Sequence, residues 1–546
     1  MTANSAFTAR DYTAPKAPLW VPVLIFLLML VPLALTPLIP AVDFNDHLLR
    51  YWILADNGAT PELAANYSPR WALLSNLGMD VLGTGLLKLL PPMTAGKILA
   101  AMVLFAPFAG ALYLAHAVHG RLTLFTVLLG AFLGFSHIFT WGFANFLLGL
   151  GMLLFGLGWW IRMHGRPVLQ LGGAILLGLV LIFVHALAFG LWGLLLGCVE
   201  LALLFGNGFP SLKSLLLSGV RLVSIAVGPV LIFLSSRTAE APQGVTEAVS
   251  NAGAYAARGG LTDRLIEEGL KRLDLMLRIA DSINPWADRA VGLLLWGLLA
   301  VGLVAGALRL APVLRLAAAL ALVLVAVMPP NMFGSGYTND RMPLLLLALL
   351  VGGLAINGAH RLARPLTLGI AALLAVHFAL VVSSYVKAGS VFRDYMAQTA
   401  TIELGVTASP LHLGGAGRAE NLPFCSALMP ALTFTRLVAV PTFANPSQQP
   451  LALDGPLQTA VSARAKGAPR KDRAKQAETT DVSTRQERIA QTLSFGFDSV
   501  VACDDAGPVP DTDLITRVAT GPFWAIYRAK APTEETVGTE APTTNE

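Results

Sequence analysis

Apolar residues in this chain neither alternate nor recur as a single helical stripe. They come in long runs separated by short polar breaks. The runs cover residues 19–40, 93–118, 122–139, 143–161, 168–185, 187–206, 213–235, 288–308, 312–329, 343–359 and 366–386. A helix needs about 20 mostly apolar residues to cross the hydrocarbon of a bilayer. The pattern therefore predicts an all-α polytopic bundle of about eleven transmembrane helices within residues 1–386. The first run is long and has no small-x-small exit before Asp43, so it reads as a retained anchor and not as a cleaved signal peptide.

Three breaks are longer than a turn. Residues 41–91 hold helix-like stretches at 46–56 and 79–90. Residues 236–287 begin rich in Gly, Ala, Thr and Gln. They then form an amphipathic pattern over 262–283, with Leu265, Leu270, Leu273, Leu277 and Ile279 on one side. A helix of that kind lies in the plane of the membrane interface. The third break is 330–342. Beyond the last run the period changes: residues 387–530 read as a small α/β domain, strand-like at 436–444, 497–505 and 523–529. Within it, 460–488 is charged and poor in large apolar groups and reads as a disordered insertion, as does the Thr-rich acidic tail 531–546.

Composition agrees with the runs. Of 546 residues, 55% are hydrophobic and 13% charged, about half the charge of an ordinary soluble chain. The net charge of +5 is concentrated in alternate short turns, such as Arg162, His164 and Arg166, Arg309 and Arg315, and Arg361 and Arg364. The opposite breaks hold Asp43, Asp46, Glu62, Asp80 and Asp340. This asymmetry predicts a cytoplasmic N-terminus and, with an odd number of spans, an extracytoplasmic C-terminal domain. Together with the Leu/Ala/Gly-rich spans it suggests a bacterial inner membrane and a periplasmic domain. No basic stripe interleaved with aromatics points to nucleic acid. Of three cysteines, Cys198 lies within a run as a packing residue. Cys425 and Cys503 fall in the outer domain, where a disulfide and two buried thiols are both open readings.

Candidate chemistry gathers at one face. In "PAVDFNDHLLRYWI", Asp43, Asp46, His47 and Arg50 crowd one end of a helix. Two carboxylates and a His at a lipid–water boundary can act as a general base or hold a divalent cation; an N-cap on a solvated helix face is the plainer account. His137, Asn145, His185, Tyr337 and Arg341 stand at other breaks of the same side. Each alone is ordinary interfacial decoration, whereas an Arg there is also a clamp for phosphate. Tyr67, Arg70, Trp71 and Asn76 offer aromatic and polar groups suited to a sugar groove, or to loop packing. There is no P-loop, GxGxxG, GxSxG or HExxH motif and no Cys/His array with zinc spacing.

On "DFND" after the first run and "GSGYTNDR" in a later outer break, the arrangement resembles integral-membrane glycosyltransferases of the GT-C superfamily. That resemblance implies a sugar donor on a polyprenyl phosphate and a glycan, lipid or protein acceptor from the extracytoplasmic side. It makes Asp43 the general base or a ligand of Mg or Mn, with Asp46 as a second ligand, Asp46 and His47 assisting, and Arg341 neutralising the departing phosphate. The sequence departs from the better-known patterns in having no WWDYG-like motif in its tail and an Asp-x-x-Asp pair in place of adjacent acids. A transporter or flippase of a lipid-linked substrate is the alternative, although no internal repeat is visible. A non-catalytic cell-envelope assembly protein is a third.

Overall fold

The computed structural model describes residues 14–206, 208–236, 261–332, 336–413, 421–446, 448–467 and 481–530, with backbone alone for 261–265. Among these, seven helices are long and apolar enough to cross a membrane: Pro92–His119, Ala144–Arg162, Pro167–Val184, Ala186–Phe205, Leu212–Leu234, Pro285–Val304 and Ala363–Gln398. The chain is a multi-pass membrane protein.

The seven spans are fewer than the eleven expected, because four runs do not form one long helix. Residues 19–40 give a 16-residue helix, Trp20–Leu35, with Pro32 inside it. Residues 122–139 break at 132–136 into the short helices Leu124–Ala131 and His137–Thr140. Residues 312–329 give the 16-residue helix Pro312–Val327. Residues 343–359 give Met342–Gly353 and then a short strand, Leu354–Ile356, paired antiparallel with Leu308–Leu310. Hydropathy registers how apolar a run is but not where its backbone turns.

Small residues set a tight seam between Pro92–His119 and Ala144–Arg162. A methyl on Gly110 would stand 2.3 Å from the Gly151 carbonyl oxygen, and one on Gly151 would stand 2.4 Å from that of Ala106. The two backbones touch because nothing separates them, which is how helices gain packing energy where lipid offers no hydrophobic gradient.

The helix Ala363–Gln398 has 36 residues and is about 54 Å long at 1.5 Å per residue, well beyond a bilayer's hydrocarbon. Its far end carries Phe392 and Tyr395 into the core of the C-terminal domain, where Tyr395 meets Trp524 edge-on at 4.6 Å. That domain has a four-stranded sheet ordered Ala408–His412, Ser499–Cys503, Trp524–Ala529, Ile515–Thr520, the first pair parallel and the others antiparallel. Residues 436–444, expected as a strand, leave the helix Leu422–Arg436 through Leu437 (φ 55°) and make a single bridge from Ala439 to Thr407. The expected disordered insertion is ordered at both ends. Residues 460–467 belong to the helix Gly455–Gly467, and Val482–Ser494 is a helix anchored by Ile489 and by the Arg485–Asp504 ion pair. Residues 468–480 and the tail 531–546 lie outside the described residues.

Cys425 and Cys503 are joined in a disulfide, tying the helix Leu422–Arg436 to the sheet. The domain also grips the loop after the first helix. Tyr67–Pro69 pairs antiparallel with Leu451–Leu453, and Leu422–Arg436 packs on the helix Phe44–Asp56. The amphipathic helix of the second long break spans Leu261–Leu277.

Candidate active site

The helix Phe44–Asp56 begins at Asp43, which occupies the N-cap position but makes no side-chain cap bond. Its carboxylate is therefore not spent on the helix, against the plainer account of this residue. The backbone beneath it is pinned: Val42 N–H donates to the Thr140 carbonyl at 2.8 Å, and Asp43 N–H to that of Trp141 at 3.1 Å. Gly142 makes this approach possible. It adopts φ +81°, and a methyl there would stand 2.4 Å from the Phe44 nitrogen. Replacing Gly142 by Ala combines an unfavourable φ with a backbone clash, so a loss of about 1–3 kcal/mol in thermal stability is expected. A displaced Asp43 should accompany it, read as a fall in activity larger than the fall in folded protein.

Asp43 opens onto a cavity of about 520 Å³, within the usual size of a small-molecule site. Its walls come from six parts of the chain. The Asp43 helix supplies His47 and Arg50; the breaks between spans supply Phe143, Asn145 and His185; residues 336–341 supply Tyr337 and Arg341. Asn76 adds to one side, and the C-terminal domain forms the roof with Thr442, Phe443, Gln448 and Gln449. Of the residues singled out in the sequence, Asp43, His47, Arg50, Asn76, Asn145, His185, Tyr337 and Arg341 are thus brought together.

The others are not. Asp46, one turn beyond Asp43, is half-buried and does not line the cavity. Tyr67 is buried, its hydroxyl donating to the Val440 carbonyl at 2.7 Å and accepting from Val440 N–H at 2.8 Å, so it latches the C-terminal domain to the loop. Arg70 is exposed and Trp71 is 47% exposed, and neither reaches the cavity. His137 lies behind Trp141, against a separate cavity of about 90 Å³. The Trp141 indole N–H donates to His137 Nε2 at 2.9 Å. Because indole can only donate, His137 holds its proton on Nδ1 and donates it to Asp281 Oδ2 at 2.8 Å. Trp141 in turn stacks on Tyr337 at 4.7 Å, so His137 supports the cavity wall from outside it.

Charges in the cavity are arranged in opposed pairs. Arg50 binds Asp80 with two bonds, Nε to Oδ1 at 2.6 Å and Nη2 to Oδ2 at 3.2 Å, both side chains 2% exposed. Its third arm, Nη1, donates to His47 Nδ1 at 2.9 Å. A guanidinium cannot accept, so His47 carries its proton on Nε2. Burial, and then Arg50, hold the His47 imidazole well below its ordinary pKa, so it is a neutral donor. Arg341 lies over the Phe143 ring at 4.5 Å and donates to the Gly336 carbonyl at 3.1 Å. Burial lowers it to about 10, against the pull of Asp340 and Asp43, and it stays cationic at neutral pH. Burial pushes the Asp43 carboxyl up to about 7, with Arg341 pulling the other way. Asp46 is held well above the carboxylate range by burial and then by Asp43, opposed by Arg50.

The implied divalent cation can be tested on this donor set. Magnesium is typically held by one or two carboxylates, with waters and substrate phosphate completing its shell. Here one carboxylate faces the cavity, its neighbour favours protonation, and both sit beside guanidinium groups. Among the described residues no three His, Cys, Asp or Glu side chains converge. The residues not picked out in the sequence are Asp80 as the Arg50 partner, Phe143 and Phe146 beneath Arg341, and the roof 442–449. The sequence matches no protein-family profile and no curated protein.

Proposed function

We propose that this protein is a membrane glycosyltransferase of the GT-C kind, moving a sugar from a polyprenyl-phosphate donor to the hydroxyl of a glycan, lipid or protein acceptor. The observation that carries the reading is Asp43: a carboxyl poised near pH 7, facing Arg341 across a polar cavity at one end of an apolar bundle. An efficient general base has a pKa close to the working pH. A retained cation with the Phe143 and Phe146 rings beneath it suits a lipid-linked phosphate.

In this reading the acceptor oxygen attacks the anomeric carbon, its proton passes to Asp43, and the bond from that carbon to the phosphate oxygen breaks. The released phosphate keeps the electron pair and rests on Arg341, with the His47 Nε2–H as a neutral donor. Asp43, when ionised, helps to hold Asp46 protonated beside it. No step uses a metal ion. The protein would lie in the bacterial plasma membrane with its N-terminus cytoplasmic and its C-terminal domain periplasmic. The Cys425–Cys503 disulfide supports that placement, since such bonds persist in oxidising compartments. A cavity at one end of the bundle, instead of at mid-depth between repeats, favours transfer over transport.

The test is transfer of label from a panel of radiolabelled polyprenyl-phosphate sugars by purified protein, with and without EDTA. Transfer that resists EDTA and is lost in Asp43→Asn is the expected result. Transfer abolished by EDTA would reassign Asp43 to a metal, and no transfer from any donor by folded protein would overturn the reading.

A further inference from the structure

The polar wall of the large cavity holds several side-chain amides whose orientation the backbone fixes. Five side-chain amides line it, Asn76, Asn145, Asn445, Gln448 and Gln449, and three of them, Asn76, Asn145 and Gln449, have the oxygen taken by a backbone N–H. Asn76 Oδ1 accepts from Ala186 at 3.2 Å, Asn145 Oδ1 from Met79 at 2.9 Å, and Gln449 Oε1 from Asn445 at 3.0 Å. A backbone N–H can only donate, so these contacts fix which end of each amide is oxygen and leave the NH2 ends as the donors. The His47 Nε2–H, fixed by Arg50, adds a fourth uncharged donor. Asp43 is the carboxylate on the same wall.

Beside these amides lies the Tyr337 ring, stacked on Trp141 and still 46% exposed where it lines the cavity. Its backbone holds φ 54°, a conformation unfavourable for an aromatic residue and typical of functional sites. An aromatic face bordered by oriented neutral donors is complementary to a ring whose substituents carry oxygen lone pairs.

We infer that Asn76, Asn145 and Gln449 form a hydroxyl-reading subsite, in which a polyhydroxylated ring lies against Tyr337 and accepts hydrogen bonds from the three amides. The inference rests on the proposed function and adds where the sugar is read. Two of the amides come from breaks in the membrane domain and the third from the roof, so the C-terminal domain takes part in sugar selection.

The test is equilibrium binding to the full-length protein in nanodiscs, comparing polyprenyl phosphate with the same lipid carrying glucose. The sugar-bearing lipid should bind about tenfold tighter, which is what one or two net neutral hydrogen bonds supply. Gln449→Glu and Asn145→Asp each keep the oxygen that the backbone N–H needs and remove the NH2 donors. Their added charge weakens both lipids alike, so the ratio between the lipids isolates the sugar. In either variant that ratio should fall to about twofold or less. Equal binding of the two lipids by the wild type overturns the subsite while leaving the phosphate site standing. A ratio unchanged in both variants also overturns it. Binding of neither lipid overturns the subsite and the proposed function together.

Discussion

Asp43→Asn is expected to raise the melting temperature at pH 8 while lowering the transfer rate by about 10²–10⁴-fold, the usual worth of a general base. The first half needs no substrate. The Asp43 carboxyl is raised from 3.8 to about 7 in the folded protein, chiefly by burial. Folding is thus unpenalised below about pH 4, where the group is protonated folded or unfolded, and loses stability as the pH rises through 7. An amide does not ionise, so the variant's advantage should reach about 1–3 kcal/mol at pH 8 and vanish toward pH 4. The second half carries the opposite dependence: the wild-type rate should climb with pH, reach half its plateau near 7, and fall about tenfold per unit below that. Thermal melts from pH 4 to 8 and a pH–rate profile check both. A variant no more stable at pH 8 than at pH 4, relative to wild type, would show that Asp43 is not strained by its surroundings.

The second large effect belongs to Arg50. Its charge is matched by Asp80 inside the protein, with both side chains out of water. Arg50→Met leaves the Asp80 carboxylate buried and alone, at a cost of about 3–5 kcal/mol. Burial already raises the Asp80 pKa against the pull of Arg50; without the arginine it rises further, so the loss should be greater at pH 8 than at pH 5. Adding Asp80→Leu to Arg50→Met should recover most of it, since a buried ion pair and an apolar pair of similar volume are often comparable. Chemical denaturation of the two variants at both pH values measures this. The single variant also frees His47 Nδ1, and recovery of stability without recovery of activity would separate the two duties of Arg50.

The sequence exposes these groups unevenly, and the reasons are physical. Asp43, His185, Tyr337 and Arg341 stand out because charge and aromatic rings at the ends of apolar runs are costly to place and therefore informative. Their convergence follows from the bundle bringing the ends of several helices to one level. Tyr67 carries the same kind of signal and proves structural, because its partner, the Val440 backbone, is 373 residues away in sequence. The roof escaped notice for the same reason. Thr442 and Phe443 fall at the end of the expected strand 436–444, and only the Tyr67–Pro69 and Leu451–Leu453 pairing sets them, with Gln448 and Gln449, over the cavity. The span count erred where a run such as 122–139 hides Gly134 and Ser136, at which the helix breaks. Hydropathy is blind to that break, and the break is what brings His137 and Trp141 to the site.

The latch between Tyr67 and Val440 also fixes the order in which a newly made molecule acquires its cavity. Floor and roof are written far apart in the message: Asp43 leaves the ribosome early, whereas Gln449 follows only after every span has been synthesised. A nascent chain whose helices are already inserted holds Asp43 and Arg341 in an open dish, without the third amide and without the Phe443 ring that stacks on His47 at 4.6 Å. Reactive membrane lipids therefore meet a finished chamber only in molecules whose translation has passed the roof, and a product truncated ahead of it would occupy membrane while remaining idle.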